Sequence, residues 1–183
     1  MFSVVICTFN REDLIEKCLT HLAEQTDKEF EVIIVNNNST DKTGEICQSF
    51  IEKHKELNFR IVLETKVGLC SARNRGLKEA KGDYVIYIDD DAFAHIDYIS
   101  NLRNFINLYP HARVCGGKIL PYFENKKPKW LSKYILPMVT TLDKGNKITF
   151  FKHRTFPVGA NMIIHKEVFA KYGMFNEELG FKV

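Results

Sequence analysis

Apolar and polar positions alternate between two periods through the first half of the chain. Phe2 to Thr8 is a continuous apolar run closing on a hydroxyl, the pattern of a strand buried on both faces. Leu14, Ile15, Cys18, Leu19 and Leu22 then recur at helical spacing, and Asn10, followed by Glu12 and Asp13, predicts the cap of this first helix. Glu31 to Val35 predicts a second strand, which empties into Asn36-Asn37-Asn38-Ser39-Thr40-Asp41, a string of turn and cap formers. Ile46, Phe50, Ile51, His54 and Leu57 mark one face of a second helix, and Phe59 to Glu64 reads as a third strand. From Gly68 to Ala80 a third helix turns Leu69, Ala72, Gly76, Leu77 and Ala80 inward and stops at Gly82. The next strand, Asp83 to Ile88, runs straight into Asp89, Asp90 and Asp91. Ile99, Leu102, Phe105, Ile106 and Tyr109 line a fourth helix that Pro110 ends.

This order predicts an α/β fold: a mostly parallel sheet with helices on both faces, whose ligands collect at the carboxyl ends of strands near a topological switch point. Three polar clusters fall there, namely Thr8 to Arg11, Asn36 to Ser39 and Asp89 to Asp91. Beyond Arg113 the pattern changes to Val114–Ile119, a loop rich in lysine and aromatics, a short strand at Ile148–Phe151, and a run from Phe156 to Ile164. No Gly/Ser-rich linker separates the parts, so residues 1–183 read as one domain with a first half over 1–112 and a smaller lobe over 113–183.

Composition narrows the class. With 183 residues, 45% hydrophobic and 27% charged, the chain can build a sizeable core. A formal charge of +3 with no basic stripe argues against nucleic acid as a partner. Five cysteines without a CxxC predict reduced thiols in a cytoplasmic protein. The strand-like start at Met1 leaves no room for a signal peptide, and no apolar stretch reaches transmembrane length.

Three carboxylates at one strand end repel one another unless a hard cation or a polar ligand offsets them. Alternation sends Asp89 and Asp91 to one side and Asp90 to the other, so Asp89 and Asp91 are candidate ligands of Mn²⁺ or Mg²⁺. The competing reading of an isolated Asp triplet is a solvated acidic turn. No GxGxxG follows strand one and no GxxxxGK[ST] occurs, which sets aside dinucleotide and P-loop folds.

Val5-Ile6-Cys7-Thr8-Phe9-Asn10-Arg11, Val35 to Asp41, Gly68 to Gly76 and Ile88 to Ala92, followed by Gly159 to Met162 and Gly173 to Gly180, together resemble family 2 glycosyltransferases of the GT-A fold. The resemblance implies a nucleotide-sugar-binding half over 1–112 and an acceptor-side half over 113–183. It implies contacts from Thr8, Phe9, Arg11, Asn36, Arg73, Asp89 and Asp90 to a nucleotide-diphosphate sugar, with Mn²⁺ or Mg²⁺ on Asp89 and Asp91. Phe9 reads equally as a core aromatic. Where the family places Asp to receive the uracil imide proton this chain has Asn36, which can accept or donate, so the base stays open although uridine is the family's usual one. Trp130, Gly159, Ala160 and Asn161 fall on the acceptor side, where a saccharide or lipid-linked acceptor would sit, as in cell-envelope polysaccharide synthesis.

The reaction implied is an inverting displacement in which a carboxylate takes the acceptor hydroxyl's proton. In the family that base belongs to a Glu-Asp pair past the Gly173 to Gly180 segment, so it is expected beyond Val183, and the chain is expected to be a truncated, weakly active or inactive piece; a natural short form is the alternative. Some enzymes of the GT-A fold take a third metal ligand from a downstream His, and that resemblance makes His153 a candidate, whereas His21, His54, His111 and His165 read as surface or capping residues. Lys126 to Met138 interleaves lysines with Trp130, Tyr134 and Leu131, which suits peripheral contact at the inner face of a membrane. An acceptor loop with Trp130 stacked on sugar is an equal reading. Two rivals differ in kind: a sugar nucleotidyltransferase would need a Gly-rich basic loop after strand one, and a non-catalytic nucleotide-sugar-binding scaffold would lack the base altogether.

Overall fold

The computed structural model describes residues 1–132, 134–136, 141–152 and 155–179. Four strands, β1 (Phe2–Thr8), β2 (Phe30–Asn36), β3 (Phe59–Leu63) and β4 (Tyr84–Asp89), pair in parallel in the order β3-β2-β1-β4. Helices α1 (Ile15–Ala23), α2 (Thr43–Lys53) and α3 (Leu69–Glu79) connect them, and α4 (Tyr98–Leu108) follows β4. The sheet continues beyond β4 with β6 (Met162–His165), antiparallel to both neighbours, and then β5 (Val114–Gly116) at the edge. Helix α5 (Lys166–Tyr172) closes the order. The expected mostly parallel α/β sheet is thus present, and its switch point lies between β1 and β4, because β2 and β4 flank β1 on opposite sides.

Strand alternation sorts the core into two layers. Val4, Ile6, Ile34, Ile86 and Ile88 pack with Ile15, Leu19, Phe50, Ile99 and Leu102 on one face of the sheet. Val5, Ile33, Val35, Val85 and Tyr87 pack with Ala72, Leu77 and Met162 on the other. On that second face α3 approaches β1 so closely that a Cβ on Gly76 would lie 2.3 Å from a Val5 methyl. Beneath the strand starts, the fully buried Glu31 carboxylate accepts from Ser3 Oγ at 2.5 Å, Arg60 Nη1 at 2.5 Å and the Lys81 N–H at 2.6 Å.

Several local expectations change. Helix α1 begins at Ile15, not after Asn10: Asn10 has a positive φ of 52°, and its side-chain oxygen accepts from the Thr40 N–H at 2.8 Å. Together with Asn10 N–H to Ser39 Oγ at 3.1 Å and Lys42 N–H to Glu12 at 2.9 Å, it ties the β1–α1 loop to the β2–α2 loop. The helix-spaced Leu69 is exposed, and Ser71 and Asn74 are buried in its stead, because the inner face of α3 also meets the chain after α5. Ile148–Phe151 forms no strand and is exposed, and from the run Phe156–Ile164 only the β6 part is strand, preceded by a 3-10 turn at Gly159–Asn161. No helix among the described residues is long and apolar enough to cross a membrane.

Candidate functional site

At the carboxyl ends of β1 and β4 the sheet opens into a cleft of about 360 Å³, lined by Cys7, Thr8, Phe9, Arg11, Asn37, Val67 to Leu69, Ala72 and Asp89 to Asp91. Strand register sets this: Cys7 pairs with Asp89, and Thr8 with Asn36. A second open depression of about 390 Å³ lies at the other end of the strands, beside Met1, Lys28, Phe30 and Arg103. Its arginine is already engaged: Arg103 donates to Asp27 at 2.5 and 3.0 Å and to the Glu29 carbonyl at 2.9 Å.

Each carboxylate of the acidic cluster has a different setting. Asp89, the last residue of β4, is half-buried on the α3 face, and Arg73 Nη2 stands 3.9 Å from it. Burial raises its carboxyl above the ordinary carboxylate value, Arg73 opposes that, and Asp91 adds to it. Asp90 turns to the other face and is only 7% exposed, with Arg11 Nε 3.4 Å away. Its carboxyl is likewise raised by burial, against the pull of Thr8 and Arg11. Asp91 lies past the strand end, where the Ala92 N–H bonds back to the Asp89 carbonyl at 3.0 Å, and is exposed. The Thr8 hydroxyl oxygen is buried beside Asp90 yet finds no partner of full hydrogen-bond geometry among the described residues. Cys7, on the cleft floor, is pushed up to about 12 by burial, so it stays a thiol.

Arg73 is held by the fold. Its guanidinium lies 5.9 Å from the Tyr87 ring and 5.7 Å from that of Phe175. A Cβ on Gly159 would fall 2.3 Å from Arg73 Nη2 and 3.7 Å from Asp89 Oδ1, so Gly159, expected on the acceptor side, borders Arg73 and Asp89 directly. Ala160 lies in the same 3-10 turn, half-buried, and Asn161 is buried with its side-chain oxygen accepting from Tyr98 OH at 2.7 Å. Trp130 is 69% exposed and lines neither depression, while Leu131 beside it is buried. His153, Lys133 and Met138 lie outside the described residues.

Asn36 is turned away from the cleft: its side-chain oxygen accepts from the Ser39 N–H at 2.9 Å, and its amide nitrogen is close to Gly44. Asn37 lines the cleft in its place. Its oxygen accepts from the Gly68 N–H at 2.8 Å, and its amide donates to the Glu64 and Lys66 carbonyls at 3.0 and 2.9 Å. Strand period was the available signal. Counting by two from Ile33 and Val35 on the α3 face reaches Asn37, whereas Ile34 on the opposite face leads to Asn36.

Glu177 accepts from Lys66 Nζ at 2.5 Å and Asn74 Nδ2 at 2.9 Å, and these partners, Lys66 first, hold its carboxyl down at about 2. Sequence pattern marks neither Asn74 nor Phe175 as a site residue, because the contacts that join them span 101 positions of the chain.

The chain matches the model of glycosyl transferase family 2 over residues 3–173. It is 36% identical over 124 residues to glycosyltransferase GlyA of Streptococcus pneumoniae, a match spanning 68% of this chain and 17% of that protein. It is 35% identical over 188 residues to the cholesterol galactosyltransferase of Borreliella burgdorferi, spanning 98% of this chain and 52% of that one. Staphylococcus aureus TarS, residues 1–349, superposes with a TM-score of 0.74 at 26% identity, covering 98% of this chain and 51% of that one. TarS in complex with UDP superposes at a TM-score of 0.70. The chain therefore spans about half or less of the length of these relatives.

Proposed function

The chain belongs to glycosyl transferase family 2, and from that premise we propose that its strand-end cleft binds a nucleotide-diphosphate sugar, UDP-linked, for inverting transfer of the sugar to a hydroxyl of a saccharide or lipid-linked acceptor. The observation that carries the reading is the convergence of Arg11 and three aspartates on one cleft at the switch point of the sheet, with Arg73 standing 3.9 Å from Asp89 at its edge. Uridine is favoured by the UDP complex of TarS. A lipid acceptor is favoured by the relative named for cholesterol galactosylation.

Within this reading Arg73 and Arg11 face the diphosphate. Gly68 and Leu69 bring the N-terminus of α3 to the same cleft, whose unpaired backbone N–H groups favour an anion. Phe9, Asn37 and Val67 line the cleft as candidate neighbours of the base. Glu177, already engaged by Lys66 and Asn74, is not the proton acceptor.

Metal dependence is part of the proposal. Among the described residues no three His, Cys, Asp or Glu side chains converge as a closed metal cage. Asp89 and Asp91 nevertheless suit Mn²⁺ or Mg²⁺, which commonly take one or two carboxylates and complete their shell with phosphate and water. When bound, the cation would offset the charge left on the departing nucleoside diphosphate.

Lys126, Lys127, Lys129 and Trp130 are all exposed, which supports peripheral contact with the cytoplasmic face of a membrane. The reading is tested by a thermal-shift panel of uridine, guanosine, thymidine and cytidine diphosphates and their sugars with Mn²⁺. Ligand at a hundred times its Kd stabilises by about 2.7 kcal/mol. The largest rise is expected with UDP and UDP-sugars, and a panel in which no nucleotide raises the melting point contradicts the reading.

A further inference from the structure

Asn74 follows Arg73 on α3 and is buried. Asn is a poor helix former because its side chain competes for backbone groups. Here that capacity is turned to the chain after α5. The Asn74 side-chain oxygen accepts from the Phe175 N–H at 3.0 Å, its amide donates to the Phe175 carbonyl at 2.9 Å, and a further bond reaches Glu177 at 2.9 Å. Both backbone groups of Phe175 are thus satisfied by one side chain, as a neighbouring strand would satisfy them. Glu177 is in turn paired with Lys66 at 2.5 Å, which fastens the segment at a second point.

Phe175 is where this stitching meets the cleft. Its ring packs edge-on against Tyr87 at 5.4 Å and tilted against Phe169 at 5.6 Å, and the Arg73 guanidinium lies 5.7 Å from it. The Tyr87 hydroxyl donates to the Arg73 carbonyl at 3.3 Å, so backbone and guanidinium of Arg73 are both braced. With Gly159 leaving room for Nη2, the guanidinium is confined beside Asp89 at the mouth of β4. A flexible Arg loses much rotamer freedom on binding an anion, and a cation already confined loses less.

We infer that Asn74 is a positioning residue for nucleotide binding: by fixing the Phe175 backbone it sets the aromatic wall that holds Arg73 at the diphosphate end of the cleft. The inference rests on the reading of that cleft as a nucleotide-diphosphate site. Asn74 touches no ligand itself and acts only through Arg73.

The test is a double-mutant cycle read by titration calorimetry of UDP with Mn²⁺ into the wild type, Asn74→Ala, Arg73→Ala and the double variant. Asn74→Ala is expected to weaken UDP binding about tenfold, the scale of one charge-assisted hydrogen bond. In the Arg73→Ala background the same change is expected to have no further effect, an outcome that a general loosening of the fold would not give. Affinity unchanged in Asn74→Ala, or losses that multiply in the double variant, overturn the inference. Should Asn74→Ala fail to fold, Phe175→Leu keeps every backbone bond and removes only the ring, and the same non-additivity with Arg73→Ala is expected. Failure of the wild type to bind any nucleotide refutes the underlying reading, whereas additive losses in binding-competent proteins refute this inference alone.

Discussion

Two glycine-to-alanine substitutions separate what the cleft needs from what the fold needs. A methyl on Gly159 would stand 2.3 Å from Arg73 Nη2 and 3.4 Å from its Cζ. Non-bonded heavy atoms settle near 3.5 Å, so the guanidinium must retreat by roughly 1 Å. A charge-assisted hydrogen bond to phosphate spans about 2.7 to 2.9 Å and does not survive such a shift. Losing one costs about 1.5 to 3 kcal/mol, or roughly ten- to a hundredfold in Kd. The displaced group is the end of a long side chain, so the stability cost is within about 1 kcal/mol. On Gly76 the same methyl meets Val5 Cγ1 at 2.3 Å and Cγ2 at 3.0 Å, in a fully buried strand that cannot yield. Overpacking there costs about 1 to 3 kcal/mol, from which a helix-propensity gain of roughly 1 kcal/mol is subtracted. Melting curves and UDP calorimetry on both variants give the comparison. Gly159→Ala should bind weakly and melt like the wild type, and Gly76→Ala should do the reverse. Wild-type affinity in Gly159→Ala, or an equal affinity loss in Gly76→Ala, would refute the placement of Arg73 at the ligand.

Three further outcomes are expected. Burial alone would raise the Glu31 carboxyl, but hydrogen bonds from Ser3, Arg60 and the Lys81 N–H outweigh it and hold it below its ordinary value of 4.5; its stabilising effect is therefore present above that value and lost as pH falls through the lower folded one. Glu31→Gln, which leaves Arg60 without its charge partner, should destabilise by about 3 kcal/mol near neutral pH, with the gap to the wild type closing in acid, and parallel melting profiles across pH would count against this. Asn37→Ala should weaken uridine, guanosine, thymidine and cytidine diphosphates alike in competition assays, because the Asn37 side chain holds the Gly68 N–H and the Glu64 and Lys66 carbonyls at the cleft edge, whereas Asn36→Ala should leave affinities and ranking intact; a changed ranking in Asn36→Ala would restore Asn36 as the base reader. Anionic vesicles should co-sediment the chain in a salt-sensitive manner through Lys126, Lys127 and Lys129, each worth about 1 kcal/mol near the surface, and equal pelleting of a variant with these three lysines changed to Glu and Trp130→Ser would exclude that surface.

The parallel sheet and its helices were legible because burial on two faces leaves unbroken apolar runs and helical stripes, which need only local sequence. The position of the acidic cluster followed from the strand that feeds it. What escaped was set by partners distant in the chain. Asn10 looks like a cap but bonds to Thr40, and Leu69 fits the helical stripe but faces the cleft. Ile148–Phe151 has strand composition, yet it pairs with no strand among the described residues. Asn36 and Asn37 differ by one step of strand alternation, which motif resemblance by itself does not resolve. The bracing of Arg73 by Asn74, Phe175 and Gly159 joins residues that no periodicity links.

The central claim, that the strand-end cleft holds a nucleotide diphosphate between Arg73 and the aspartates, is tested most directly by titration calorimetry of UDP into the wild type and Asp91→Asn, each with Mn²⁺ and with chelator. The account predicts binding by the wild type that strengthens markedly with Mn²⁺, and loss of most of that metal-dependent gain in Asp91→Asn with the chelator value unchanged. Absence of UDP binding by the wild type under both conditions would contradict it.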